Sequence, residues 1–116
     1  MSRKRYKKPR GPKLSHGQNF FKDSKTVRKL VKLARLSDQD LVIEIGPGEG
    51  VITRELADAA GRVIGVEFDR GLASRLKIDF AAAGNVEIVW FNFLKFKLPA
   101  EPYKLFANIP FNLTAP

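Results

Sequence analysis

Residues 41–50 read Leu41-Val42-Ile43-Glu44-Ile45-Gly46-Pro47-Gly48-Glu49-Gly50, and this stretch decides the fold. The apolar run predicts a strand over Leu41–Ile45, and the alternate glycines predict a tight loop over Gly46–Gly50. Behind the loop, Ile52, Leu56 and Ala59 recur at helical spacing, which predicts a helix over Val51–Ala60 stopped by Gly61. Arg62–Glu67 (RVIGVE) reads as a second strand. Gly71–Ala83 reads as a second helix of this unit, with Leu72, Leu76 and Phe80 on one side and Gly84 at its end. Val86–Phe91 (VEIVWF) and Tyr103–Asn108 (YKLFAN) read as third and fourth strands, the last closed by Pro110. Strands alternating with helices, several of the strands nearly all apolar, predict an α/β fold with a parallel sheet and helices on both faces. Upstream, Asp23 or Ser24 caps a helix running to about Leu36, with Val27, Leu30, Val31 and Ala34 as its buried stripe.

The loop sits between a strand and a helix, which is where chemistry gathers in such folds. Glycine is needed where a ligand lies against the backbone or where φ is positive, and three alternate glycines provide for both. A helix start behind the loop points free N–H groups at a carboxylate or phosphate. The dinucleotide fingerprint G-x-G-x-x-G would place its third glycine at position 51, which is Val51, and a P-loop would need Gly-Lys-Ser/Thr. Glu67 closes the second strand about twenty residues after Gly46, where an acid can accept both ribose hydroxyls of a nucleoside. The plain alternatives are a turn and an ordinary strand-end acid. A nucleoside ligand without phosphate contacts, carrying a carboxylate tail, describes S-adenosylmethionine.

Asn108-Ile109-Pro110-Phe111 follows the fourth strand, at the carboxyl edge of the sheet where open α/β folds place their ligands. The Asn108 side-chain carbonyl and a neighbouring backbone C=O, fixed by Pro110, can accept two hydrogen bonds from an exocyclic amine. An adenine N6 is a poor nucleophile because its lone pair is delocalised into the ring, and holding both hydrogens out of plane frees that pair for a methyl carbon. Phe111 offers a face for the base, worth roughly 1–3 kcal/mol, once the base has left its stack. Taken alone, Asn-x-Pro-aromatic is more often a turn with a core Phe.

Charge points to a polyanionic partner. The 116 residues carry a formal charge of +9, yet residues 1–40 alone hold thirteen Lys/Arg against three acids. Residues 41–116 hold eight against nine. Arg3, Lys4, Arg5, Lys7, Lys8, Arg10 and Lys13 lie on a Gly- and Pro-interrupted stretch with little to bury, which predicts a flexible RNA-binding arm over 1–18. The alternative is a solubilising tail. With 44% apolar residues and nine Phe the remainder can bury a core. The absence of Cys excludes disulfides and thiolate metal sites, and a single His, His16, argues against a His-based triad or zinc site, so no metal is expected. No run of about 18 apolar residues occurs, and the basic start has no apolar segment behind it, so a cytoplasmic protein is expected without membrane contact.

Four segments in order carry a family resemblance: His16-Gly17-Gln18-Asn19-Phe20-Phe21, the loop EIGPGEG, VEFD around Glu67, and NIPF. From about Leu14 to the end, the chain resembles the rRNA adenine N6-dimethyltransferases. Its wording and spacing look like the erythromycin-resistance branch acting on 23S rRNA; the sister branch acts on 16S rRNA. The resemblance implies a Rossmann-like S-adenosylmethionine-dependent methyltransferase fold. By position it implies that Gln18, Asn19 and Phe21 lie over the cofactor's methionine end. Gly46, Gly48 and Gly50 then form the cofactor loop, Glu67 binds the ribose, and Asn108 to Phe111 form the catalytic turn. Where the family has Asp after the third strand for the cofactor's adenine amine, this chain has Asn92, an acceptor without charge. Phe111 stands where Tyr is commoner.

Relatives continue for well over a hundred residues, so residues 19–116 read as the amino-terminal part of a catalytic domain, truncated after the fourth strand. The rest of the sheet and a helical RNA-binding domain are then expected to be absent, the piece inactive alone, and the full-length parent monomeric. The competing readings are a 16S rRNA dimethyltransferase of small-subunit assembly, a non-catalytic RNA-binding module, and, as a poor fourth, an NAD-dependent oxidoreductase.

Overall fold

The computed structural model of the protein describes residues 24–107. Their elements are α1 (Ser24–Leu33), β1 (Leu41–Ile45), α2 (Val51–Ala59), β2 (Arg62–Glu67), α3 (Arg70–Asp79), β3 (Val86–Trp90), a 3-10 turn (Phe93–Lys95) and β4 (Lys104–Ala107). The strands form one parallel sheet in the order β3-β2-β1-β4. Chain order reverses between β1 and β4, so the loop after β1 opens at the switch point where such sheets hold ligands.

Register sorts the side chains. Val42 pairs with Val63, and Glu44 with Gly65 and Phe106, while Gly65 pairs with Ile88. Alternation places these residues on one face. There Val27 and Val31 of α1 and Ile52, Leu56 and Ala60 of the α2 segment close over Val42 and Val63. Ala73, Leu76 and Phe80 close over Ile88. All three helices of the described residues therefore lie on this face. The opposite face carries Leu41, Ile43 and Val66, with Phe93 of the 3-10 turn and Phe96 just after it packed on them.

The expected parallel α/β sheet is present, with β1 and β2 at their predicted bounds; of the helices expected on both faces, those of the described residues cover one face and the 3-10 turn the other, and the helix ends differ from the prediction. α1 stops at Leu33 because Arg35 adopts a left-handed φ of 52°, after which the chain cannot continue the helix. Of its predicted stripe, Val27 and Val31 are buried and Ala34 is half-buried, but Leu30 is 40% exposed above an apolar cleft shared with Ile52, Phe106 and Ala107. α3 ends at Asp79, four residues before the predicted Ala83, where Phe80 leaves the helical path to bury its ring. Gly84, the predicted stop, lies beyond that point in open space.

Candidate functional site

The loop after β1 turns through three left-handed glycines, Gly46 (φ 69°), Gly48 (φ 60°) and Gly50 (φ 90°). A side chain is disfavoured at each by backbone sterics. At Gly50 space adds a second reason. A Cβ on Gly50 would meet the Phe80 ring at 2.9 Å, so that glycine lets α3 pack beneath the loop. A Cβ on Gly48 would meet nothing nearer than the Gly46 carbonyl at 3.8 Å, which leaves the backbone open to a ligand. Gly50 is also the N-cap of α2, and no side chain caps that helix start.

Glu67 ends β2 beside this loop and is 6% exposed. Its Oε1 accepts the Gly48 N–H at 2.9 Å, and its Oε2 accepts the Asp69 N–H at 2.9 Å. Both donors are backbone, so the carboxylate is oriented without its charge being cancelled. A carboxylate has about four lone-pair sites, and two are left after the donors given by the described residues. Two acceptor sites on one carboxylate match in number the two donors of a ribose diol. The expected pairing of glycine loop and strand-end acid is thus one hydrogen-bonded unit.

Asn92 accepts the Leu94 N–H on its Oδ1 at 3.0 Å and caps the 3-10 turn. That oxygen, expected from the resemblance to receive an adenine amine, already holds one local bond and keeps one lone pair. Phe68, 70% exposed between Glu67 and Asp69, is a large apolar face that sequence reasoning missed.

Glu44 was missed as well. It is fully buried on the helix face of β1, and its Oε1 accepts the Thr53 hydroxyl of α2 at 2.5 Å. Burial pushes its carboxyl up to about 8, with the Thr53 hydrogen bond opposing and the Glu67 charge reinforcing the shift. Its Oε2 is buried without a hydrogen-bond partner among the described residues. At neutral pH Glu44 therefore keeps its proton. The available signal was a lone acid inside an apolar strand.

The predicted arm residues Arg3, Lys4, Arg5, Lys7, Lys8, Arg10 and Lys13 lie outside the described residues. So do Gln18, Asn19 and Phe21, and the turn Asn108, Ile109, Pro110 and Phe111.

Residues 12–116 match the family described as ribosomal RNA adenine dimethylase. Over 99 residues the chain is 43% identical to an rRNA adenine N-6-methyltransferase of Aeromicrobium erythreum, covering 85% of this chain and 29% of the relative. Over 105 residues it is 40% identical to a probable ribosomal RNA small subunit methyltransferase A of Methanopyrus kandleri, covering 90% and 38%. Among solved structures, the 23S rRNA methyltransferase ErmE superposes with a TM-score of 0.75 at 39% identity, over 81% of this chain and 38% of that one. The chain spans well under half the length of the curated relatives it matches.

Proposed function

The chain belongs to the ribosomal RNA adenine dimethylase family, and on that premise we propose that the protein carrying it transfers methyl groups from S-adenosylmethionine to the N6 amine of an adenine in 23S rRNA. The observation that carries the reading is the Glu67 carboxylate, held by the Gly48 and Asp69 N–H groups at the mouth of the switch point with two lone pairs spare. The residues present fit the cofactor. Gly48 leaves its flank open, Glu67 receives a diol, and a carboxylate tail suits the uncapped start of α2. Bound there, S-adenosylmethionine supplies a methyl group on a positively charged sulfur.

The remaining roles fall to this chain's own residues. Gln18, Asn19 and Phe21 cover the cofactor's methionine end. Asn108 and a carbonyl beside Pro110 accept the hydrogens of the target amine, and Phe111 stacks on the base. Asn92 offers its remaining lone pair to the cofactor's adenine. The cations of the first thirteen residues contact rRNA phosphates. The work is cytoplasmic, where ribosomes are made, and the product is a ribosome resistant to macrolide, lincosamide and streptogramin antibiotics.

The likeness to ErmE and to the Aeromicrobium enzyme supports the 23S target. A comparable identity to small-subunit methyltransferases supports a second reading, methylation of 16S rRNA. Labelled methyl transfer separates the two. Label in naked 23S rRNA is expected; label confined to 30S particles would give the protein to the second reading.

A further inference from the structure

We infer that Trp90 is a positioning residue for Glu67: its indole N–H sets the orientation of the Phe68–Asp69 peptide, and that peptide aims an N–H at the Glu67 carboxylate. The inference rests on the reading of Glu67 as the acid that receives the ribose hydroxyls.

Trp90 ends β3 and is the register partner of Glu67. It is 51% exposed on the outermost strand of the described sheet, so burial does not account for an indole there. Its hydrogen bond does. The Trp90 Nε1–H donates to the Phe68 carbonyl at 2.9 Å. The same peptide unit presents the Asp69 N–H, which donates to Glu67 Oε2 at 2.9 Å. A trans peptide is planar, with its C=O and N–H pointing in opposite directions. An indole that fixes the carbonyl end therefore fixes the N–H end. Without it this peptide is free to turn, and a turned peptide presents a carbonyl oxygen to the carboxylate in place of a donor.

Two further contacts hold the arrangement. The Phe91 N–H donates to the Glu67 carbonyl at 3.0 Å, so β3 grips two successive carbonyls of the turn. The Arg70 guanidinium carbon lies 5.4 Å from the centroid of the Trp90 ring. A cation at the first position of α3 sits at the wrong end of the helix dipole, and the ring face gives it a favourable place. Arg70 and Trp90 thus clasp each other beside the site.

The test separates orientation of Glu67 from general loosening. Adenosine and 2′,3′-dideoxyadenosine are competed against S-adenosylmethionine in calorimetric titrations of the full-length protein that carries this chain, for wild type and Trp90→Phe. Phe keeps an aromatic ring for Arg70 and lacks the donor. Wild type should prefer adenosine by about tenfold, as expected for hydroxyls bonded to a charged acceptor. In Trp90→Phe that preference should shrink to about threefold or less while dideoxyadenosine affinity holds, as expected when one charge-assisted bond is misdirected. Parallel weakening of both ligands, or an unchanged preference, would overturn the inference. A wild type with no preference would overturn the ribose reading itself and the inference with it. Site-specific replacement of Trp90 by benzothienylalanine removes the N–H with shape retained. It must give the same loss of preference, even if Trp90→Phe fails to fold.

Discussion

Glu44 is the residue whose environment most exceeds what its neighbours in sequence announce. It lies in LVIEI, where four apolar residues define a buried strand, and parity alone puts it on the helix-covered face beside Gly65 and Phe106. An unpaired charge there is costly, and the group answers by holding its proton. The unfolded carboxyl releases that proton near 4.5, while the folded one keeps it to about 8. Between those values the unfolded state binds fewer protons than the folded one, so stability falls as pH rises through the window and levels off above it. Glu44→Gln keeps an acceptor for Thr53 and cannot titrate. Its melting temperature should therefore fall less than that of wild type between pH 4.5 and 8, and parallel curves would contradict the assignment. The acid itself was visible in the sequence; its neutrality was not, because that depends on burial under α2, a long-range fact.

At the scale of elements, strands were legible and helix ends were not. Leu41–Ile45 and Arg62–Glu67 are short, mostly apolar runs bounded by turn residues. Helix ends depend on single backbone torsions. The left-handed Arg35 stops α1 without the glycine that usually signals such a stop, and Phe80 leaves α3 for the sake of its own burial. Leu30 matched the helical period yet sits over a cleft, because the period specifies a face and not what covers it. The start of α3 is better determined: Asp69 accepts the Leu72 N–H at 2.9 Å as its N-cap. Asp69→Ala should destabilise the fold by about 0.5–2 kcal/mol in a denaturant titration. Because the Asp69 backbone N–H still reaches Glu67, cofactor affinity should change little by comparison. A large loss of affinity with unchanged stability would show that the cap is not its main role.

The whole molecule divides by charge into a basic first third and a near-neutral remainder. If the first third meets RNA, deleting residues 1–13 should weaken rRNA binding and flatten its salt dependence. For every phosphate the arm no longer neutralises, the log–log slope should become shallower by about 0.9 on duplex, or by about 0.7 on single strands. An unchanged slope would reduce the arm to a solubility element. Within the sheet, β4 pairs only with β1 among the described residues, and Leu105 is 51% exposed. An apolar edge strand invites pairing with another chain. The 116 residues expressed alone should accordingly self-associate in sedimentation experiments and show no rRNA methylation; a cooperatively melting, active monomer would refute this.

The central claim is that the glycine loop and Glu67 form one nucleoside-binding unit, and it is tested most directly by titrating S-adenosylmethionine into the full-length protein that carries this chain and into its Glu67→Ala variant, with heat as the readout. Loss of hydrogen bonds to a charged acceptor predicts a drop in affinity of about 10- to 100-fold, with the far-ultraviolet circular dichroism unchanged. Equal affinity in the two proteins would contradict the account.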